Sequence, residues 1–278
     1  MTWPQKRSIT RGVVDMLRVN IGLKPGEQLL VVTDLPRAED WQARSQAALA
    51  DMLERSMLAR LIADIAAESF PDCSVHFLAY PATGANGVEP PRAVAIRMRQ
   101  ADVVICLTTY SLSHTNARMA VNRAGGRVAS MPVFEACLFE SGGPMAVDHL
   151  HMAAECRAFA DLLTAAEQVI LLTPYGTDLR FSVKGRPGQV DTGLYTEKGA
   201  WGNLPGGEAY AVPLEGTGEG QLVVPAGWYP GLSEDLVLRF EKGVVVEVLG
   251  GGMVGEDLRR AFGLGDSGSA SRTRRNLA

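Results

Sequence analysis

GEQLLVVTD, from Gly26 to Asp34, opens on a turn-forming glycine and then runs through four consecutive apolar residues. A short apolar run bounded by turn residues marks a strand buried on both faces. The alanine- and leucine-rich amphipathic stretch from Arg44 to Glu68 reads as a helix, so the two together make a β-α unit. The alternation continues outward. SVHFLAYP (74–81) predicts a strand, PRAVAIRMRQ (91–100) a helix and ADVVICLTTY (101–110) a strand. SHTNARMAVNRAG (113–125) predicts a helix closed by glycine, with Ser113 as its N-cap, and GRVASMP (126–132) a short strand. Strands alternating with helices predict an α/β domain built on a doubly wound, mostly parallel sheet. Ligands of such sheets lie beyond the carboxyl ends of the strands, here the segments TDLPR, YPATG and TTYSLSHT. No G-x-G-x-x-G follows the first strand, so a dinucleotide site is not supported.

After a helix reaching about Ala166 the pattern changes, which places a domain boundary near residue 168. EQVILLTPYGTDLRFSVKG (167–185) reads as a strand pair turning at YGTD. EKG (241–243) reads as a hairpin turn between LVLRF and VVVEV. The expectation is an N-terminal α/β domain over 1–168 and a β-rich (α+β) domain over 169–262. A small, polar linker or tail follows over 263–278.

With 46% hydrophobic and 21% charged residues among 278, a large core is available. A net charge of -4 gives no field to attract nucleic acid or an anionic membrane surface. The N-terminus lacks the apolar core of a signal peptide and no stretch is long enough to span a bilayer, so a cytoplasmic location is expected. Cys73, Cys106, Cys137 and Cys156 form no C-x-x-C pair and are expected to be free, buried thiols. His149 and His151 are two apart in a helical stretch, where such residues do not share a face, which argues against a paired metal ligand.

Five segments, in order, resemble the aminopeptidase T/S-like metallo-aminopeptidases, particularly the shorter leucyl aminopeptidase-like members: GLKPGEQLLVVTD (22–34), SLSHTNAR (111–118), GGRVASMP (125–132), TPYGTDLRFSV (173–183) and GNLPGGEAYAVPLEG (202–216). The resemblance implies hydrolysis of N-terminal peptide bonds at a pair of divalent metals, zinc or cobalt, in the C-terminal domain. It also implies that Glu208 is a metal ligand. The remaining family ligands, a second glutamate with histidine, tyrosine and aspartate beyond it, have no counterpart here. RRNLA (274–278) looks like the opening of that later segment, so the metal-site domain is expected to be incomplete.

Around Glu208, Pro205 fixes the backbone approach while Gly206 and Gly207 permit tight geometry; without the resemblance, LPGGE reads as a solvated turn. His114 and Arg118 follow the third strand and could contact substrate or the facing domain. Asp178 and Asp191 read as turn residues, and Trp201, Tyr210, Trp228 and Tyr229 as core or as a pocket lining. Two further functions share the expected architecture. One is an Fe(II) ring-cleaving dioxygenase of the dihydroxypyridine type; the other is a non-catalytic homologue. Unpaired sheet edges favour self-association, so a homodimer is expected.

Overall fold

The computed structural model describes residues 5–264 and 275–277. Most of the expected tail over 263–278, including Arg274 and Ala278 of RRNLA, lies outside those residues. The chain forms two compact units, and neither is continuous in sequence. The first comprises Met1–Cys156 and Asp191–Glu208, the second Arg157–Val190 and Ala209–Ala278.

In the first unit, α1 (Lys6–Asp15) and a π-helical turn (Met16–Asn20) lead into β1 (Gln28–Leu35). There follow α2 (Asp40–Ala43), α3 (Gln46–Ser69), β2 (Ser74–Pro81), α4 (Arg92–Gln100), β3 (Val103–Cys106), α5 (Asn116–Arg123) and β4 (Arg127–Ser130). Helix α6 (His149–Ala165) leads on to β5 (Gln168–Leu172) and β6 (Asp178–Ser182). The next strands are β7 (Gln189–Asp191), β8 (Trp201–Asn203) and β9 (Glu208–Tyr210), with β7 and β9 paired as a two-stranded sheet. The chain ends through β10 (Glu219–Val224), β11 (Leu236–Glu241), β12 (Val244–Gly250) and α7 (Gly252–Phe262). The boundary expected near 168 thus falls inside the second unit, and residues 191–208 return to the first.

The first sheet has the order β2-β1-β3-β4-β8 and is parallel throughout. Successive side chains of a strand point to opposite faces, and the central strands divide accordingly. Leu29, Val31, Val103, Ile105 and Ala129 join one core with Ile9 and Val13 of α1 and Leu58, Ile62 and Ala66 of α3. Leu30, Val32, Val104, Cys106 and Val128 join another with Val94 and Met98 of α4 and Ala117 and Val121 of α5. Helices cover both faces, as the doubly wound reading requires. Each fully buried aliphatic side chain contributes roughly 1.5–3 kcal/mol, so the two cores dominate this unit's stability. Ser45 caps α3 by accepting from Ala48 N at 3.2 Å, and the helix stops before Phe70-Pro71, where the proline disfavours helical backbone. The expected cap of α5 moves by two residues: Thr115, not Ser113, accepts from Arg118 N.

In the second unit an antiparallel sheet of order β12-β11-β10-β6-β5 carries a core of Leu179, Leu236, Phe240, Val245 and Val248, with Val254, Leu258 and Phe262 of α7 packed against it. The expected hairpin turn is present between β11 and β12. Lys242 and Gly243 both have positive φ, the backbone twist that a tight two-residue turn demands. No helix among the described residues is long and apolar enough to cross a membrane.

Candidate functional site

Strand order places the topological switch point of the parallel sheet between β1 and β3, whose chain connections leave in opposite directions. The sequence there is polar. Asp34 near the end of β1 is 1% exposed, and its carboxylate accepts from Thr109 N at 2.7 Å and Tyr110 N at 3.2 Å. β3 is therefore four residues long rather than the expected ten, because past Leu107 the chain bends to Asp34. Thr108 Oγ1 donating to Tyr110 O at 2.7 Å holds the bend. Burial pushes the Asp34 carboxyl above its usual range, opposed by the two N–H groups and by the Arg55 guanidinium nearby. Outside this bend, Arg37 and Arg44 clamp Asp40 and hold it well below the usual carboxylate range, and Arg44 also bonds the Tyr110 hydroxyl.

Arg55 lies on the buried face of α3, between Met52 and Ala59, and is 7% exposed. Its Nη1 donates to Thr109 Oγ1 at 2.9 Å, while Nε has no partner. Beside it opens a cleft of about 620 Å³ within the first unit. Leu58, Phe134 and Ala136 form its apolar wall. Asp51, Glu54, Glu135 and Glu140 bring carboxylates, and Gln5, Ser8 and Cys137 complete it. The volume is that of a small-molecule site. Nothing in a linear motif signals this cleft. The available sign was a charged residue in the helix's apolar stripe, with Asp51 and Leu58 on the same face at i−4 and i+3.

The residues singled out from sequence go elsewhere. Glu208 opens β9 and is exposed. The glycines before it do permit close approach: a Cβ on Gly206 would stand 2.6 Å from Gly193 Cα, and one on Gly207 2.5 Å from Met152 Sδ. Asp191 behaves as a turn aspartate, its Oδ1 accepting from Gly193 N at 3.1 Å and lying 2.8 Å from the Tyr195 hydroxyl. Burial and the carboxylates of Asp191 and Glu208 push the Tyr195 phenol up. Asp178 begins β6, exposed, and bonds Arg180. Arg118 is consumed internally. Its Nε donates to Ser113 O at 2.7 Å, its Nη1 to Asn122 Oδ1 at 3.1 Å, and the guanidinium stacks 3.6 Å from the Trp201 ring centroid, with His114 edge-on to the same ring. Its occupied donors assign it to holding β8 beside α5. Ser113 Oγ in turn lies 2.8 Å from Ser130 Oγ and 2.9 Å from Asn203 Oδ1. Tyr210, Trp228 and Tyr229 are exposed and line no core. All four cysteines are free; burial pushes the Cys106 thiol up to about 12, Cys156 is also buried, but Cys137 is exposed on the cleft and corrects the expectation for it. His149 is buried and His151 exposed on α6.

Comparison with known proteins now decides the family. A family model described as NicX, 2,5-dihydroxypyridine 5,6-dioxygenase, matches residues 14–263. The chain belongs to this family. It is similar to the solved 2,5-dihydroxypyridine dioxygenase from Pseudomonas putida KT2440, with 18% identity and a TM-score of 0.64 over 92% of this chain and 71% of that one. It is also similar to wild-type AmpT from Thermus thermophilus, with 17% identity and a TM-score of 0.55 over 98% of this chain and 76% of that one. At such identities the two likenesses show a shared fold. No curated protein matches the chain.

These findings correct the aminopeptidase reading. The likeness to AmpT shows a shared fold alone, whereas the family match over most of the chain is to the dioxygenases, oxidoreductases and not hydrolases. With the peptidase go its peptide substrate and its zinc or cobalt pair; a metal stands only as what the dioxygenase family implies. Among the described residues no group of three or more His, Cys, Asp and Glu is placed to hold a metal ion. Asp191 is already engaged near Glu208, and the cleft carboxylates do not converge. The described residues therefore supply no complete ferrous centre by themselves.

Proposed function

We propose that this chain serves ring cleavage of a dihydroxypyridine-type substrate by dioxygen. The family match over residues 14–263 carries the reading, and the polar cleft at the carboxyl end of the parallel sheet supports it as a place for a small aromatic ligand. In such a reaction the C5–C6 bond breaks and both atoms of one O₂ enter the product, so no external reductant is consumed. What the described residues offer is recognition: an apolar wall in Phe134 and Leu58, a guanidinium in Arg55 and carboxylates around it.

The test is oxygen uptake by the purified chain with 2,5-dihydroxypyridine and added ferrous ion, alongside loss of the aromatic absorbance. One O₂ consumed per ring opened is expected. Absence of uptake, with a protein that is folded by circular dichroism, refutes the proposal. A homodimer is proposed as well, supported by edge strand β5, where Ile170, Leu171 and Leu172 are exposed beside an unpaired ladder.

A further inference from the structure

Arg55 places a cation in a helix face that otherwise buries apolar residues. A guanidinium so enclosed normally closes on a carboxylate, because its desolvation is otherwise uncompensated. Here it does not. Among the described residues no ion pair within 4.0 Å involves Arg55, and its Nε is without any partner. Carboxylates are nevertheless close enough to act on it: Asp34 behind it, and Asp51 and Glu135 in the cleft. Asp51 comes from one turn earlier on α3, Glu135 from the segment after β4. A guanidinium without an ion-pair partner and anions that do not close on it thus line one cleft of about 620 Å³.

A ligand that completes this arrangement carries a hydrogen-bond acceptor and a donor side by side on a flat apolar body. A 2-hydroxypyridine does so in its lactam form, which presents a ring carbonyl beside a ring N–H. We infer that the cleft binds the lactam edge of a hydroxypyridine, its carbonyl oxygen accepting from Arg55 and its N–H donating to Asp51 or Glu135, with the ring against Phe134 and Leu58. The substrate class rests on the function proposed above; the pairing of Arg55 with the facing carboxylates is independent of it. Charge-assisted hydrogen bonds are the strong ones, so losing either contact weakens binding by about tenfold or more.

The experiment is calorimetric titration of the whole chain, anaerobic and without added metal. The ligands are 2-pyridone, 2,5-dihydroxypyridine, N-methyl-2-pyridone and hydroquinone. The first two are expected to bind. N-methyl-2-pyridone, which lacks the N–H, and hydroquinone, which lacks the lactam, are expected to bind about tenfold more weakly or worse. Asp51→Ala combined with Glu135→Ala, both exposed positions, should erase the preference for 2-pyridone over its N-methyl form; Arg55→Gln should weaken both. No binding by the wild-type chain, equal affinity for 2-pyridone and N-methyl-2-pyridone, or an undiminished preference in the double variant overturns the inference. Ring cleavage separates the two proposals. Oxygen uptake that is intact in the double variant leaves the dioxygenase reading standing and removes the cleft from it. Selective binding without turnover does the reverse.

Discussion

Replacing Asp34 by alanine removes the acceptor for two backbone N–H groups at once, those of Thr109 and Tyr110. Each orphaned donor costs about 1–3 kcal/mol when buried. Both residues are only partly buried, so water recovers some of this, and roughly 2–4 kcal/mol is expected. For a unit of this size that lowers the melting temperature by roughly 5–15 °C. The loss also depends on pH in a defined direction. The folded-state pKa of Asp34 is raised above the ordinary 3.8 of the unfolded chain. Between 3.8 and the raised value the folded protein holds a proton that the unfolded chain releases, so the stability due to Asp34 falls as pH rises through that window. The gap between wild type and Asp34→Ala should therefore be widest at the acid end and narrow toward neutrality. Thermal melts followed by circular dichroism at several pH values read both quantities. A shift below about 2 °C, or a gap that widens as the carboxyl ionises, refutes the account of the β1–β3 crevice. The same variant should weaken ligand binding in the cleft, since Thr109 orients Arg55.

Gly206→Ala should destabilise the first unit by at least about 1–3 kcal/mol, because its Cβ would meet the Gly193 backbone, which cannot swing aside; chemical denaturation measures it. Arg118→Ala should cost about 2–4 kcal/mol and leave ligand affinity within twofold. Arg118→Lys should recover little, because a planar guanidinium is needed to stack on Trp201 while bonding Ser113 and Asn122. Sedimentation velocity should show a dimer that Leu171→Lys, placing a charge on the β5 edge, dissociates; a concentration-independent monomer in the wild type removes the homodimer.

The parallel sheet was legible because its strands are buried on both faces and write themselves as runs such as LLVV and VVIC between amphipathic helices. The β5–β6 and β11–β12 hairpins were legible from their turn chemistry. Three elements carried no comparable signal. α1 lies in a polar N-terminal stretch whose apolar residues Ile9 and Val13 look sparse until they meet α3. β8 is three residues, WGN, and exists only because β4 offers it an edge. α7 follows a triple glycine that reads as loop. The site was less legible still. Glu208 was singled out by a resemblance to the aminopeptidases, whereas the family match is to the dioxygenases. Arg55 is significant only because Thr109, Asp51 and Glu135, from three separate stretches, come near it in space.

The discontinuity of the two units bears on how this protein can be dissected. An expression fragment cut at residue 168, where composition changes, would keep β1 to β4 but lose β8. The ladder groups of Val128 to Ser130 that face Trp201 to Asn203 would then open to solvent, and Arg118 would lose its aromatic stacking partner. Such a fragment exposes the longer β4 edge that β8 covers in the intact chain. A fragment that keeps the whole first unit would instead need residues 191–208 joined to residue 156, a graft that the linear order of the chain conceals.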